Sequence, residues 1–303
     1  MAHPTDGRCR WLCGALAAAI LSASTLIAAQ AGTPALPQLL AKAGDHARRF
    51  QEAFTLVISD EEYAQSLSTR AFDAPVARRT DSEMLFEWQP EERVWLTVRN
   101  VLKLDGKSVQ GNQGRLTDAL EQGGASRTNR LRRILDDNAR FNLGRTVRTF
   151  NYPTLVLSYL DPALQSRFTF ALAGRERIGR DDTWKVTFAE HASPTLIQGD
   201  GLDRVSRGMV WLRQSDGLPI RTRLDLSMRR DDGNSYATVE VEYAHNQRLD
   251  MWVPVRMQEH HMEIRFGRIE ETLNAEATYR KFRRFETSSR IVAPGDENRT
   301  DRR

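Results

Sequence analysis

Four residues near the C-terminus, Glu259, His260, His261 and Glu263, carry side chains well suited to chemistry. In an extended strand, residues two apart stand about 7 Å from each other on one face. Glu259, His261 and Glu263 therefore form a row, with His260 on the other face. Such a row can contribute metal ligands or an acid/base pair, because histidine titrates near neutrality. It can also be an exterior line of charges paired with arginines of the next strand. A metal site needs further ligands with supporting partners. None can be placed from the spacing, so the expectation is the exterior row.

Nucleophiles are no better supported. Ser158, Ser166 and Ser206 lack the G-x-S-x-G turn that exposes a catalytic serine, although a triad with His191 or His245 could still assemble in space. A P-loop, a dinucleotide-binding glycine pattern and H-E-x-x-H are all missing from the sequence. No catalytic residue, metal or cofactor is assigned, and the expectation leans away from an enzyme.

A different chemistry is suggested by the large apolar residues that alternate with charged ones. Ile220, Thr222, Leu224 and Leu226 oppose Arg221, Arg223 and Asp225, and Val239, Val241 and Tyr243 oppose Glu240 and Glu242. This is the apolar-in, charged-out split of a sheet with one wet face. Trp88, Phe168, Phe170, Trp184, Phe188 and Trp211 add aromatic surface. Together with Ile220, Leu224, Val239, Val241 and Tyr243 they are the expected lining of a ligand cavity. Core packing is the plainer reading for each one, since aromatics dominate ordinary cores. If the sheet cannot close over its helices, the remaining hollow suits acyl chains, which need apolar walls and little directed polarity.

The elements that must position these residues can be read from periodicity. Leu36, Leu39, Leu40, Ala43, His46, Phe50 and Ala53 recur at steps of three and four, which predicts an amphipathic helix over 36–52. The period then changes to two at Phe54, Leu56 and Ile58. Strands are expected at 84–88, 94–104, 168–172, 184–188, 209–213, 220–226, 236–243, 252–257 and 271–282. Asp105-Gly106, Ser215-Asp216-Gly217 and Gln89-Pro90-Glu91-Glu92 supply turn chemistry for antiparallel hairpins. Residues 114–162 interrupt this run as a helical insertion broken at Gly123-Gly124, and Thr154 to Leu160 form a short apolar, buried helical stretch. Asn142 to Tyr152 is a polar connection that either simply joins elements or acts as a lid over the hollow.

The first 31 residues have the layout of a secretory signal. Arg8 and Arg10 precede an apolar run and Ala29-Gln30-Ala31 fits the small-residue cleavage rule. Both cysteines, Cys9 and Cys13, lie within it, so the expected mature chain has no disulfide or thiolate site. The charge balance of 44 Lys+Arg against 40 Asp+Glu is small and dispersed, which argues against nucleic acid as a partner. Past Ser288 the chain is polar and aperiodic, and a disordered tail is expected over 288–303.

Helix, strands, helical insertion and a long run of strands do not alternate as parallel α/β folds do. The fold class expected is α+β: a single strongly curved antiparallel sheet, an open or half β-barrel over 32–287, with helices covering its concave side.

Three stretches resemble the periplasmic lipoprotein-carrier group, LolA and LolB. They are Gly208-Met209-Val210-Trp211-Leu212 through Ser215-Asp216-Gly217 to Leu218-Pro219-Ile220-Arg221-Thr222, the Trp252-Val253-Pro254-Val255 strand, and Ala277-Thr278-Tyr279 to Phe282-Arg283-Arg284-Phe285. The likeness is one of hairpin style, shared with exported bacterial proteins of no assigned role. It implies a hydrophobic cavity that carries a lipid or a lipidated protein in the periplasm, and it assigns no binding residue. Two other functions stay open: an envelope assembly protein that docks by its sheet surface, with possible peripheral contact to a membrane, and a hydrolase of an envelope polymer.

Overall fold

The computed structural model describes residues 34–144, 148, 150–199 and 201–285. The expected export signal and the polar tail lie outside the described residues. Helix α1 (Leu36–Phe54) opens with Pro37 in its first turn and buries Leu39, Ala43, Ala47 and Phe54. Proline suits that place because its missing N–H would have no helical partner there. The period-two reading of Phe54 is corrected: Phe54 closes the helix, and Leu56 turns the chain at φ +56°.

Four strands follow: β1 (Val57–Thr69), β2 (Val76–Gln89), β3 (Val94–Leu104) and the short β4 (Lys107–Ser108). The insertion contains α2 (Arg115–Leu120), α3 (Gly124–Asn138) and a 3-10 turn over Ala139–Phe141. Helices α4 (Leu155–Tyr159) and α5 (Pro162–Gln165) come next. The chain then runs through β5 (Phe168–Ile178), β6 (Asp181–Glu190), the small β7 (Gln198–Gly199) and β8 (Leu202–Asp203), and β9 (Val205–Arg213). It ends with β10 (Pro219–Arg230), β11 (Gly233–Asn246), β12 (Met251–Arg265) and β13 (Arg268–Arg284).

All but β7 and β8 form one 11-stranded sheet in the order β4-β3-β2-β1-β13-β12-β11-β10-β9-β6-β5. Every neighbouring pair is antiparallel, and the first and last strands do not meet, so the barrel stays open. Pairing β13 with β1 places the N-terminal strands beside the C-terminal ones. The turns read from the sequence are where expected, with Asp105 and Gly106 both at positive φ between β3 and β4, as a two-residue hairpin requires. Register shifts near Ser59 on β1 and between Glu242 and Tyr243 on β11 mark bulges, which bend and twist a sheet locally. Pro254 sits beside the second of these, the kind of place where an inner strand tolerates proline.

The helices divide between the two faces. One apolar cluster gathers Phe54, Phe86, Phe168, Phe188, Leu224, Val239 and Tyr279 with α1 and α4. It draws on strands from near both ends of the sheet, so it marks the concave side. A second cluster packs Leu116, Leu120, Leu131 and Ile134 of α2 and α3 on Ile58, Leu85 and Val98. Ile58 follows Val57 of the first cluster, and adjacent strand residues point to opposite faces. The insertion thus covers the outer face of β1–β3, while α1 and α4 fill the hollow.

Candidate functional site

On β1 the inward row is Ser59, Glu61, Tyr63 and Gln65, all buried. Burying a carboxylate requires pairing and hydrogen bonds, and neighbouring elements supply both. Arg99 of β3 donates from Nη2 to Glu61 Oε1 at 2.8 Å and from Nε to the other oxygen. Its guanidinium also lies over the Tyr63 ring, 4.8 Å from the centroid. Tyr63 donates its hydroxyl to Glu259 on β12 at 2.8 Å, and His261 Nε2 stands 2.8 Å from the other Glu259 oxygen. Arg148 donates to the Tyr63 hydroxyl at 2.9 Å and to Gln65 Oε1 at 2.7 Å.

The exterior row expected at Glu259, His261 and Glu263 is therefore corrected. Glu259 and His261 are 4% and 5% exposed and face the hollow. The partners of Glu259 come from β1 and from Arg148 in the connection before α4, so strand spacing alone could not reveal them. His260 does face outward, with Nδ1 2.8 Å from Asn274 Oδ1. Among the described residues, no group of three or more His, Cys, Asp and Glu is arranged to hold a metal ion.

Burial acts differently on each member of this network. Burial alone would push the Glu259 carboxyl up, but the His261 hydrogen bond and charge, then Arg148 and Tyr63, outweigh it and hold Glu259 below its ordinary range. Burial likewise opposes the Arg99 charge, and the Glu61 carboxylate more than offsets it, so Arg99 stays firmly cationic. The Tyr63 hydroxyl is pushed up by burial and by Glu259, which keeps it a donor.

The residues expected to line a cavity fall in three places. Phe168, Trp184, Phe188, Leu224, Val239, Val241 and Tyr243 belong to the concave cluster, with Trp88 and Phe170 packed against it. Ile220 is buried as well. Tyr159 of α4 stacks on Phe168 at 4.6 Å and meets Phe188 edge-on at 5.6 Å, and Tyr243 donates to the Pro153 carbonyl at 2.7 Å. The apolar Thr154 to Leu160 stretch thus occupies this half of the hollow. Trp211 is on the other face: Val210 and Leu212 point into the cluster, while Trp211 donates to Glu176 at 3.0 Å under Arg221.

Open space lies at the β3 edge of the sheet, where Leu96 and Leu135 of the outer cluster meet the inward Met84 and Trp95. A cleft of about 730 Å³ runs between β3, the C-terminal end of α3 and residues 142–152. Met84, Trp95, Leu96, Leu135, Ala139 and Tyr152 form apolar wall, and Arg99, Asn138, Asn142, Arg148 and Asn151 add polar groups. Asp136 is the one carboxylate on this lining. Trp95 Nε1, Arg148 Nε and Asn151 Nδ2 are buried donors without a hydrogen-bond partner. The Asn142 to Tyr152 connection borders the cleft at both its ends. A depression of similar volume on the outer face is lined by Arg223, Glu240, His260 and Asn274, and there Arg223 pairs with Glu240 at 2.7 Å.

Glu61, Trp95, Arg99 and Arg148 were not singled out from the sequence, whereas Asn151 belongs to the Asn142 to Tyr152 connection read there as a joint or a lid. The available signal was β1 itself, polar on both faces yet paired on both edges by β2 and β13. A strand inside a sheet with polar residues facing a core implies a buried network.

No protein-family model matches the chain, and no curated protein matches it. Similar solved structures include a DUF1329 family protein from Desulfovibrio piger, at TM-score 0.37 and 12% identity over 82% of this chain and 94% of that one. A LolA superfamily protein from Nitrosomonas europaea aligns at TM-score 0.32 and 10% identity, over 84% of this chain and 95% of that one. A putative outer membrane lipoprotein-sorting protein domain from Vibrio parahaemolyticus aligns at TM-score 0.31 and 10% identity, over 80% and 92%. The resemblance is distant. It concerns the layout of strands and helices, and no residue role is transferred through it.

Proposed function

We propose that this chain is an exported carrier or binding module that holds an acyl chain, of a lipid or a lipidated partner, in the cleft between β3 and α3. The cleft carries this reading. Its volume of about 730 Å³ falls in the range of ordinary small-ligand sites, which are mostly apolar with a few placed polar groups. The cavity-lining expectation moves accordingly, from the aromatic half filled by α4 to the β3 edge walled by Trp95, Leu135 and Tyr152. The single carboxylate on the lining favours binding over polymer hydrolysis, which draws on two. The signal-like first 31 residues support a periplasmic location after cleavage near Ala31, and no described helix is long and apolar enough to cross a membrane.

A surface role is a second reading, favoured by one observation. Phe72, Tyr236, Phe266 and Ile269 are exposed apolar residues, and the pairing of β1, β11, β12 and β13 brings them to one end of the sheet. Such clustering suits contact with an envelope protein or a membrane surface.

Native mass spectrometry of the full chain produced in a membrane-bearing bacterial host tests the carrier reading. Co-purified lipid is expected with the natural sequence and not with Ala139→Trp, which places an indole in the cleft from an exposed position. Protein that stays free of lipid, and takes none up from added vesicles, overturns it.

A further inference from the structure

We infer that the β3–α3 cleft selects acidic amphiphiles by their charged end, with an anionic oxygen headgroup received among Trp95, Arg99, Arg148 and Asn151. This rests on the binding reading above and specifies its ligand. Two arginines border the cleft against one acidic residue, Asp136. Glu61 and Glu259, which neutralise those arginines, are not on the lining, so the side turned to a ligand is the donor side of the network.

Hydrogen-bond accounting points the same way. Trp95 Nε1, Arg148 Nε and Asn151 Nδ2 belong to residues no more than 8% exposed and have no acceptor. A buried donor left unpaired is costly, and a bond to an ionised acceptor is worth more than one to a neutral acceptor. A carboxylate or phosphate end that reaches these N–H groups removes that cost. A neutral ester end has weaker acceptors and gains less. Asn138 Oδ1 is the other unpaired polar atom on the lining, and turning its amide over presents two more N–H donors. Arg99 Nη2 also reaches the Asn151 carbonyl, at 3.4 Å, which ties the strand and the connection into one wall. The apolar part of the ligand then lies along Met84, Leu96 and Leu135.

Calorimetry on the full chain at about pH 8 with dodecanoate and its methyl ester, both below their micellar range, decides the matter. The acid is expected to bind about tenfold more tightly than the ester, the factor a single charge-assisted hydrogen bond supplies. Trp95→Phe removes one donor and keeps a smaller ring in the wall and against Phe50 and Trp88, so whatever it costs in packing, it should lower dodecanoate affinity about tenfold more than it lowers ester affinity. Equal affinities for acid and ester overturn headgroup selection while leaving the cleft as an acyl site. Failure of both amphiphiles to bind overturns the carrier reading and this inference with it. Equal losses of acid and ester affinity in Trp95→Phe, or no loss of either, remove Trp95 from the headgroup site.

Discussion

Arg99 grips Glu61 from across the sheet with two N–H groups, one at 2.8 Å, although both side chains are at most 4% exposed. The pair ties β3 to β1 inside the hollow, and β2 lies between them. Removing one partner of a buried pair strands the other charge and costs about 3–5 kcal/mol, whereas replacing both by apolar residues of similar volume is often close to neutral. Glu61→Met and Arg99→Met should each lower urea-unfolding stability by about that amount. The double variant should recover most of the loss, short of what Arg99 gains over the Tyr63 ring. Losses that simply add in the double variant would show that the two residues do not act as a pair.

Glu259 makes stability depend on acid pH. His261, Arg148 and Tyr63 together outweigh burial and hold its folded carboxyl below the ordinary value, which is near 4.3 for a free glutamate. A depressed folded value means that protonation favours the unfolded chain. The stabilisation is therefore complete above about pH 4.3 and fades as pH falls through the folded value. Urea midpoints of the natural protein should drop on acidification from about pH 5 toward pH 3. Glu259→Gln should be less stable near pH 7 and flatter across that window, and a slope parallel to the natural protein's would count against Glu259 as the source.

Much of the sheet was legible because its outer half obeys a simple rule. On β10 and β11 each inward Leu or Val alternates with an outward Arg, Asp or Glu, and those charges pair across the strands, as Arg223 does with Glu240. The 94–104 strand has the expected bounds, and the helix over 36–52 extends only to Phe54. β1 hid its orientation because Glu61, Tyr63 and Gln65 face inward where apolar residues would mark the core. Glu259 was misplaced for the same reason, since its partners Tyr63 and Arg148 lie on β1 and in an irregular connection far away in sequence, and His261 follows it inward as Glu259's neighbour on the same strand face. Trp211 looked interior by size, yet strand parity sets it opposite Val210 and Leu212. The cleft was illegible because its walls come from β3, the end of α3 and a polar connection, three segments whose meeting is a tertiary fact.

Gly208 allows β9 to lie against its neighbours. A Cβ built there would stand 2.0 Å from the Arg223 carbonyl oxygen and 2.5 Å from the Phe188 ring. The oxygen belongs to the backbone of β10, so the clash cannot be relieved by a rotamer change alone, and the Phe188 ring covers the glycine from the cross-strand position. Gly208→Ala should therefore cost more than the 1–3 kcal/mol usual for overpacking. Thermal unfolding would show it, and a midpoint within a degree or two of the natural protein's would mean the strands separate more easily than their pairing implies.

Two tryptophans separate the cleft from the rest of the sheet. Trp95 lines the cleft with its ring in edge contact with Phe50, 5.7 Å between centroids. Trp211 lies on the outer face, bonded to the half-exposed Glu176 carboxylate, whose pKa that bond lowers. Trp211→Phe keeps most of the apolar contact and loses one hydrogen bond at a partly wet site, a cost of about 0.5–1.5 kcal/mol. It should leave uptake of a fluorescent fatty acid unchanged, because nothing on the outer face of β9 borders the cleft. Ala139→Trp should block the same uptake at little cost to folding, since Ala139 is exposed at the end of α3. Reversal of the pattern, with uptake lost in Trp211→Phe and kept in Ala139→Trp, would move the ligand to the strand face that the aromatic residues first suggested.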